Sequence, residues 1–148
     1  WFSDEDPLDW SRRHRFAGLL RLHGDLVALR RNGDDATRGL RGPNVATHHV
    51  DPETKVLAYH RWLDGGPGDD VIVVVNLSAE PRPDTRIGAP RPGRWRVRFN
   101  TDVAAYDPDF VSIPSLDAEA DAEPWDGMEH SILVGLGPYA AVILSQDA

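Results

Sequence analysis

The sequence predicts a mainly β fold, an antiparallel β-sandwich of Greek-key type preceded by one N-terminal amphipathic α-helix. Three observations carry this prediction. Convincing helical periodicity is confined to residues 11–31. From Asp34 onward, short apolar runs alternate with glycine, proline and acidic breaks, as in antiparallel all-β domains. Residues 71–75 read VIVVV, a run with no polar face, which predicts a strand covered on both sides.

Residues 1–10, WFSDEDPLDW, are acidic, aromatic and interrupted by Pro7, and read as a loop. Ser11 or Asp9 can cap the helix that follows. Within it Phe16, Leu19, Leu20, His23, Leu26, Val27 and Arg30 recur at three- and four-residue steps, and all but His23 and Arg30 are apolar. Asn32-Gly33 supplies the stop, with Arg30 and Arg31 placed to suit the negative end of the helix dipole. A lone helix before a sandwich implies that its apolar face packs on something else. Residues 1–33 are therefore expected to close an upstream unit, and residues 34–148 to form the β domain.

Strands are expected at 44–50, 55–63, 71–78, 94–100, 131–136 and 140–145, with weaker ones at 85–87, 110–113 and 118–123. Runs 55–63 and 71–78 flank the loop DGGPGDD at 64–70, so they form a central hairpin with a long connection. In RWRVRFN at 94–100, alternation sends Trp95, Val97 and Phe99 to one face and Arg94, Arg96 and Arg98 to the other.

A length of 148 residues suits one domain with a real core. The net charge of -8 argues against a nucleic-acid partner, whose affinity comes mostly from phosphate neutralisation. No cysteine is present, which removes thiol nucleophiles, disulfides and cysteine-ligated zinc. No apolar run approaches the roughly 20 residues of a membrane helix, so no membrane partner is expected. The chain opens at Trp1 instead of Met and is expected to be a piece of a longer polypeptide.

Catalytic patterns are absent. His48 and His49 are adjacent, which on a regular strand sends them to opposite faces, so no metal site is assigned. Asp117, Glu119, Asp121, Glu123 and Asp126 form an acidic run that reads as a solvated strand edge, not a proton-sharing pair. No G-x-S-x-G elbow occurs, and Gly65-Gly66-Pro67-Gly68 lacks the lysine and hydroxyl of a phosphate loop, so neither a catalytic residue nor a cofactor is expected. Aromatics remain. Trp95 reads as core, whereas Trp62 and Trp125 adjoin loops and Tyr106 lies in the turn-like DVAAYDPDF; these three are the candidates for stacking on a sugar ring.

Several motifs, in order, give the chain a family likeness. LVALRRN at 26–32 resembles the helix that closes the catalytic barrel of α-amylase-family enzymes (glycoside hydrolase family 13). KVLAYHR at 55–61 and VVVNLS at 73–78 resemble consecutive strands of 1,4-α-glucan branching enzymes. Ile87-Gly88, Pro92-Gly93-Arg94-Trp95, Phe99-Asn100-Thr101-Asp102 and the closing run from Gly137-Pro138 to Leu144 follow the same family order. The resemblance implies a C-terminal domain attached to an upstream catalytic (β/α)8 barrel of the same polypeptide, acting on α-glucan through that parent enzyme. The family's catalytic carboxylates lie on the barrel, and no position here matches them. The domain is thus expected to stabilise the enzyme without catalysing. The alternatives are an independent carbohydrate-binding module or the corresponding domain of a hydrolytic α-amylase. A branching role implies a cytoplasmic location, whereas amylases sharing the domain are secreted.

Overall fold

The computed structural model describes residues 9–110 and 113–148. It consists of antiparallel sheets in a sandwich-like arrangement, with a helical segment at the N-terminal side. Helix α1 (Arg12–Arg15) and helix α2 (Ala17–Arg30) replace the single predicted helix, because Phe16 leaves helical geometry at φ -112° and ψ 35°. The first turn is organised by Asp9, which accepts hydrogen bonds from the Ser11 amide (3.1 Å) and hydroxyl (2.5 Å); Ser11 makes no side-chain cap. At the other end Asn32, not Gly33, takes the left-handed conformation (φ 59°), and its side-chain oxygen accepts the Thr37 amide at 2.6 Å. A short 3₁₀ turn, Arg38–Arg41, follows.

Eight strands come next: β1 (Asn44–Asp51), β2 (Val56–Trp62), β3 (Val71–Asn76), β4 (Arg82–Ala89), β5 (Gly93–Asn100), β6 (Ala118–Ala120), β7 (His130–Leu136) and β8 (Ala141–Ser145). Six form one sheet in the order β1-β2-β3-β8-β5-β6, and β4 pairs with β7 in a second. Strand β4 is longer than its 85–87 signal because a register irregularity between Arg82 and Thr85 accommodates Pro83. The candidate at 110–113 includes residues 111 and 112, which lie outside those described.

The β2–β3 hairpin is central, as its composition predicts. Its loop holds Gly65, Gly66 and Gly68 at positive φ (86°, 111° and 75°), a region that favours glycine. Asp69 accepts the amides of Leu63, Asp64 and Gly65 at 3.0, 2.7 and 2.7 Å, so one carboxylate shapes the turn. Strand β3 is covered on both faces. Ile72 and Val74 join Trp95, Ile87, Ile132 and Leu144 between the sheets. Val71 and Val73 join Phe99, Ile143 and Leu40 on the opposite face, beneath Leu22, Leu26 and Leu29 of α2. Each buried large aliphatic side chain of this kind contributes roughly 1.5–3 kcal/mol.

Two expectations are corrected by this packing. Phe99 does not share a face with Trp95 and Val97. A bulge between Val97 and Phe99 in the β5–β8 ladder shifts the register, and Phe99 joins the helix-side core while Trp95 and Val97 pack between the sheets. The helix, expected to pack its apolar face on something outside the sandwich, also lays one side on the strands. Leu22, Leu26 and Leu29 cover the sheet, whereas Phe16, Leu19, Leu20 and Val27 are 47–58% exposed. The helix is apolar around much of its circumference, so spacing alone allows either side. Gly18 and Asp25 decide between them. A Cβ on Gly18 would lie 1.6 Å from the Tyr106 carbonyl oxygen, so only glycine permits this approach, and Asp25 accepts the Tyr106 hydroxyl at 2.8 Å.

Candidate functional site

The three aromatic candidates lie in three different places. Trp62 ends β2 and stacks on His60, with ring centroids 4.4 Å apart. Tyr106 is wedged under α2, its ring 5.8 Å from that of Phe99 and its hydroxyl bound to Asp25. Burial first, and then the Asp25 carboxylate, pushes the Tyr106 phenol up to about 12. Trp125 is 42% exposed on the turn between β6 and β7. No shared platform is formed.

Beside Trp62, a buried charge cluster secures the hairpin loop. Asp70 lies 2.9 Å from Nε2 of His60, 2.5 Å from Nε of Arg91 and 2.9 Å from the Gly66 amide. Burial disfavours its charge, but these hydrogen bonds outweigh that cost and hold the Asp70 carboxyl below the usual range. The arrangement is saturated and structural, with each oxygen of Asp70 already engaged.

The larger cleft, about 1200 Å³, opens between α2, β5 and the loop residues that follow β5. Its polar groups are turned on one another. Asp117 accepts the Val97 amide at 2.9 Å and pairs with Arg94 at 3.0 Å; these contacts hold its carboxyl below the usual range. The Asn100 amide donates to Ser115 Oγ at 3.1 Å, and Ser115 donates to the Gly135 carbonyl at 2.6 Å. No nucleophile–base pair faces this space among the described residues.

The acidic run falls on the sheet edge. Strand β6 is outermost, and Asp121 and Glu123 reach Arg86 at 3.7 and 3.2 Å. Asp126 departs from that run. It heads a two-residue turn between Trp125 and Met128, with Asp126 and Gly127 at φ 54° and 77° and reciprocal backbone bonds of 3.1 and 2.9 Å. Both central residues at positive φ are the mark of a type I′ turn, and Asp-Gly is its favoured sequence. That dipeptide was the available signal; counting Asp126 with the other acids concealed it.

A bulge in β1 alters the histidine geometry as well. The pairing slips between Thr47 and His49, leaving His48 without a partner residue on β2. His49 Nδ1 lies 3.0 Å from Asp126 Oδ1, and the same carboxylate also acts electrostatically on His48. Of the two imidazoles, it is His49 that meets the carboxylate directly. Burial lowers the His48 pKa, assisted by His60 and His49 and opposed by Asp126. Among the described residues no group of three or more potential ligands can hold a metal ion.

A second cleft, about 390 Å³, lies under Trp125, lined by His49, Asp51, Thr54, Arg82, Asp84 and Arg86 among others. Its groups come from the end of β1, the β1–β2 connection, β4 and the Trp125 turn, and they converge only through folding.

The sequence model of the family described as "Alpha amylase, C-terminal all-beta domain" matches residues 47–147. The chain belongs to that family. As a member of the C-terminal all-beta domains, it is similar to 1,4-alpha-glucan branching enzyme GlgB of Thermobifida fusca (strain YX), 33% identical over 99% of this chain and 20% of the relative. Proteins of the same name from Burkholderia thailandensis and Pseudomonas syringae pv. syringae are 35% and 36% identical, over 98% and 97% of the chain and 18% and 19% of their own lengths. The chain thus spans about a fifth of the length of the curated relatives it matches. The alignments reach beyond the family match to include nearly the whole chain, helix included. No helix among the described residues is long and apolar enough to cross a membrane.

Proposed function

We propose that this chain is the C-terminal accessory domain of an enzyme acting on α-1,4-glucans, of the 1,4-α-glucan branching type. It steadies an upstream catalytic (β/α)8 barrel of the same polypeptide and supplies no catalytic residue itself. Residues 1–33 then belong with the barrel's closing loop and helix, and residues 34–148 form the accessory domain. The parent's place is the cytoplasm, where glycogen is branched.

The observation that carries this reading is the second apolar stripe of the helical segment. Leu22, Leu26 and Leu29 are used against the sheet, while Phe16, Leu19, Leu20 and Val27 remain about half exposed on the same short element. A helix with two apolar sides is built to lie between two bodies. Relatives named as branching enzymes, of which the chain spans about a fifth, supply the nature of the second body.

The test uses the full-length enzyme and the 148-residue chain side by side. Leu19→Asp combined with Leu20→Asp should leave the chain's own unfolding midpoint nearly unchanged, since both side chains already face water, but lower that of the full-length enzyme. Branching activity from the 148-residue chain alone would overturn the assignment of chemistry to the upstream part. An unchanged full-length midpoint would overturn the docking role.

A further inference from the structure

We propose that the cleft under Trp125 is an α-1,4-glucan holding site, which binds a short run of glucose units without acting on them. The inference takes its ligand class from the proposed function above. Its structural basis is independent of it.

The turn that carries Trp125 is held in place from three directions. Gly88 of β4 donates its amide to Asp126 Oδ2 at 2.9 Å, and His49 of β1 meets Asp126 Oδ1 at 3.0 Å. The third restraint is steric. A Cβ on Gly88 would stand 2.6 Å from the Trp125 carbonyl oxygen and 3.0 Å from Asp126 Cβ, so the missing side chain lets the turn sit directly on the strand. The indole is therefore positioned by its backbone while much of its surface faces water. Preorganisation of this kind removes the ordering cost that a mobile aromatic would incur on binding.

Polar groups of both kinds line the cleft together with Trp125. Asp84 is exposed and carries no hydrogen bond or ion pair among the described residues, so its carboxylate is free to accept. Arg82 also lines the cleft, and its Nη2 reaches the Thr54 carbonyl only at 3.5 Å. Thr85 lines the same space. A glucose ring offers hydroxyls that both donate and accept, together with a C–H face that packs on an indole. That combination matches an aromatic platform flanked by a free carboxylate and a weakly engaged guanidinium.

Other ligand chemistries fit less well. An anion would find Arg86 already committed to Asp121, Glu123 and Ser131 Oγ, and would meet Asp51 and Asp84 in a chain of net charge -8. A volume of about 390 Å³ is at the small end of ligand pockets and admits one or two sugar rings, not an extended macromolecular face. One stacked ring with a few hydrogen bonds gives a dissociation constant on the order of millimolar.

The test is an NMR titration of the 148-residue chain with maltoheptaose, following the indole N–H resonances. The Trp125 signal should shift saturably in the millimolar range. Trp125→Ala should abolish binding, and Asp84→Ala should weaken it several-fold, while Tyr139→Ser, an exposed aromatic elsewhere, should leave it intact. Cellohexaose, the β-linked counterpart, should bind more weakly. No saturable shift at Trp125, or unchanged binding by both Trp125→Ala and Asp84→Ala, overturns the site. Amylose branching by the full-length enzyme reads the proposed function separately: an active enzyme without a Trp125 shift loses only this site, and an inactive enzyme with the shift loses only that function.

Discussion

The hydroxyl of Tyr106 donates to Asp25 Oδ2 across 2.8 Å, tying the loop after β5 to the middle of α2. This contact and the close approach at Gly18 decide which side of the helix meets the sheet. The Tyr106 phenol is pushed up to about 12, by burial and then by Asp25. A phenol with a raised pKa favours folding below the unfolded value near 10, and that contribution is lost as pH rises through the folded one. Ultraviolet titration should find one of the three tyrosines ionising well after the others, and Asp25→Asn should bring it down.

Removing the same bond should loosen the helix. Tyr106→Phe is expected to cost about 1 kcal/mol, the usual net worth of one hydrogen bond, read by urea unfolding. In a double-mutant cycle with Asp25→Asn the two losses should not add, because both remove one contact. Full additivity would mean that the pair is not coupled.

Asp70 should carry more. It is buried beside His60 and reached by the partly exposed Arg91, and Asp70→Asn leaves both without their carboxylate, for which the expected loss is roughly 1–3 kcal/mol at neutral pH. Since its folded pKa is depressed, this stabilisation is present above the unfolded value near 4 and lost as pH falls through the folded one. The difference between wild type and variant should therefore shrink in acid. A difference independent of pH would contradict the ionised pairing.

His48 predicts a second pH dependence, at milder acidity. Burial lowers its pKa, so its contribution is present above the unfolded histidine value near 6.5 and declines as pH falls through the folded one. Thermal melts of His48→Gln should lose part of the destabilisation that wild type suffers on going from neutral to mildly acidic buffer.

The bulge in β5 can be tested by deletion. Removing Arg98 joins Val97 directly to Phe99, which restores strict alternation and leaves Phe99 opposite Ile143 on the helix side. The deletion should therefore keep the core and lose only the contacts of Arg98 with Ser145 and Asp147, whereas Phe99→Ala should cost about 3–5 kcal/mol. A deletion variant as destabilised as Phe99→Ala would mean that the bulge itself is needed to place Phe99.

How far the sequence could be read depended on whether a feature was local. VIVVV announced a doubly covered β3 because a strand without a polar face can only be buried, and glycine at Gly65, Gly66 and Gly68 announced the loop. The edge role of the acidic residues was legible for the same reason, since repelling carboxylates need water. The Trp125 turn was half legible: Asp-Gly names the turn type, but nothing local says that Gly88 will receive it or that His49 will brace it.

By itself, then, the sequence determined the β class, the central hairpin, the helix and the family likeness, all of which follow from periodicity, propensity and short motifs. The tertiary structure alone decided which side of α2 is covered, which face Phe99 takes and how His49 comes to meet Asp126. Each of these depends on a bulge or a close approach between segments far apart in the chain. A one-residue shift in register moves a side chain to the opposite face of a sheet, and composition carries no record of where such a shift occurs.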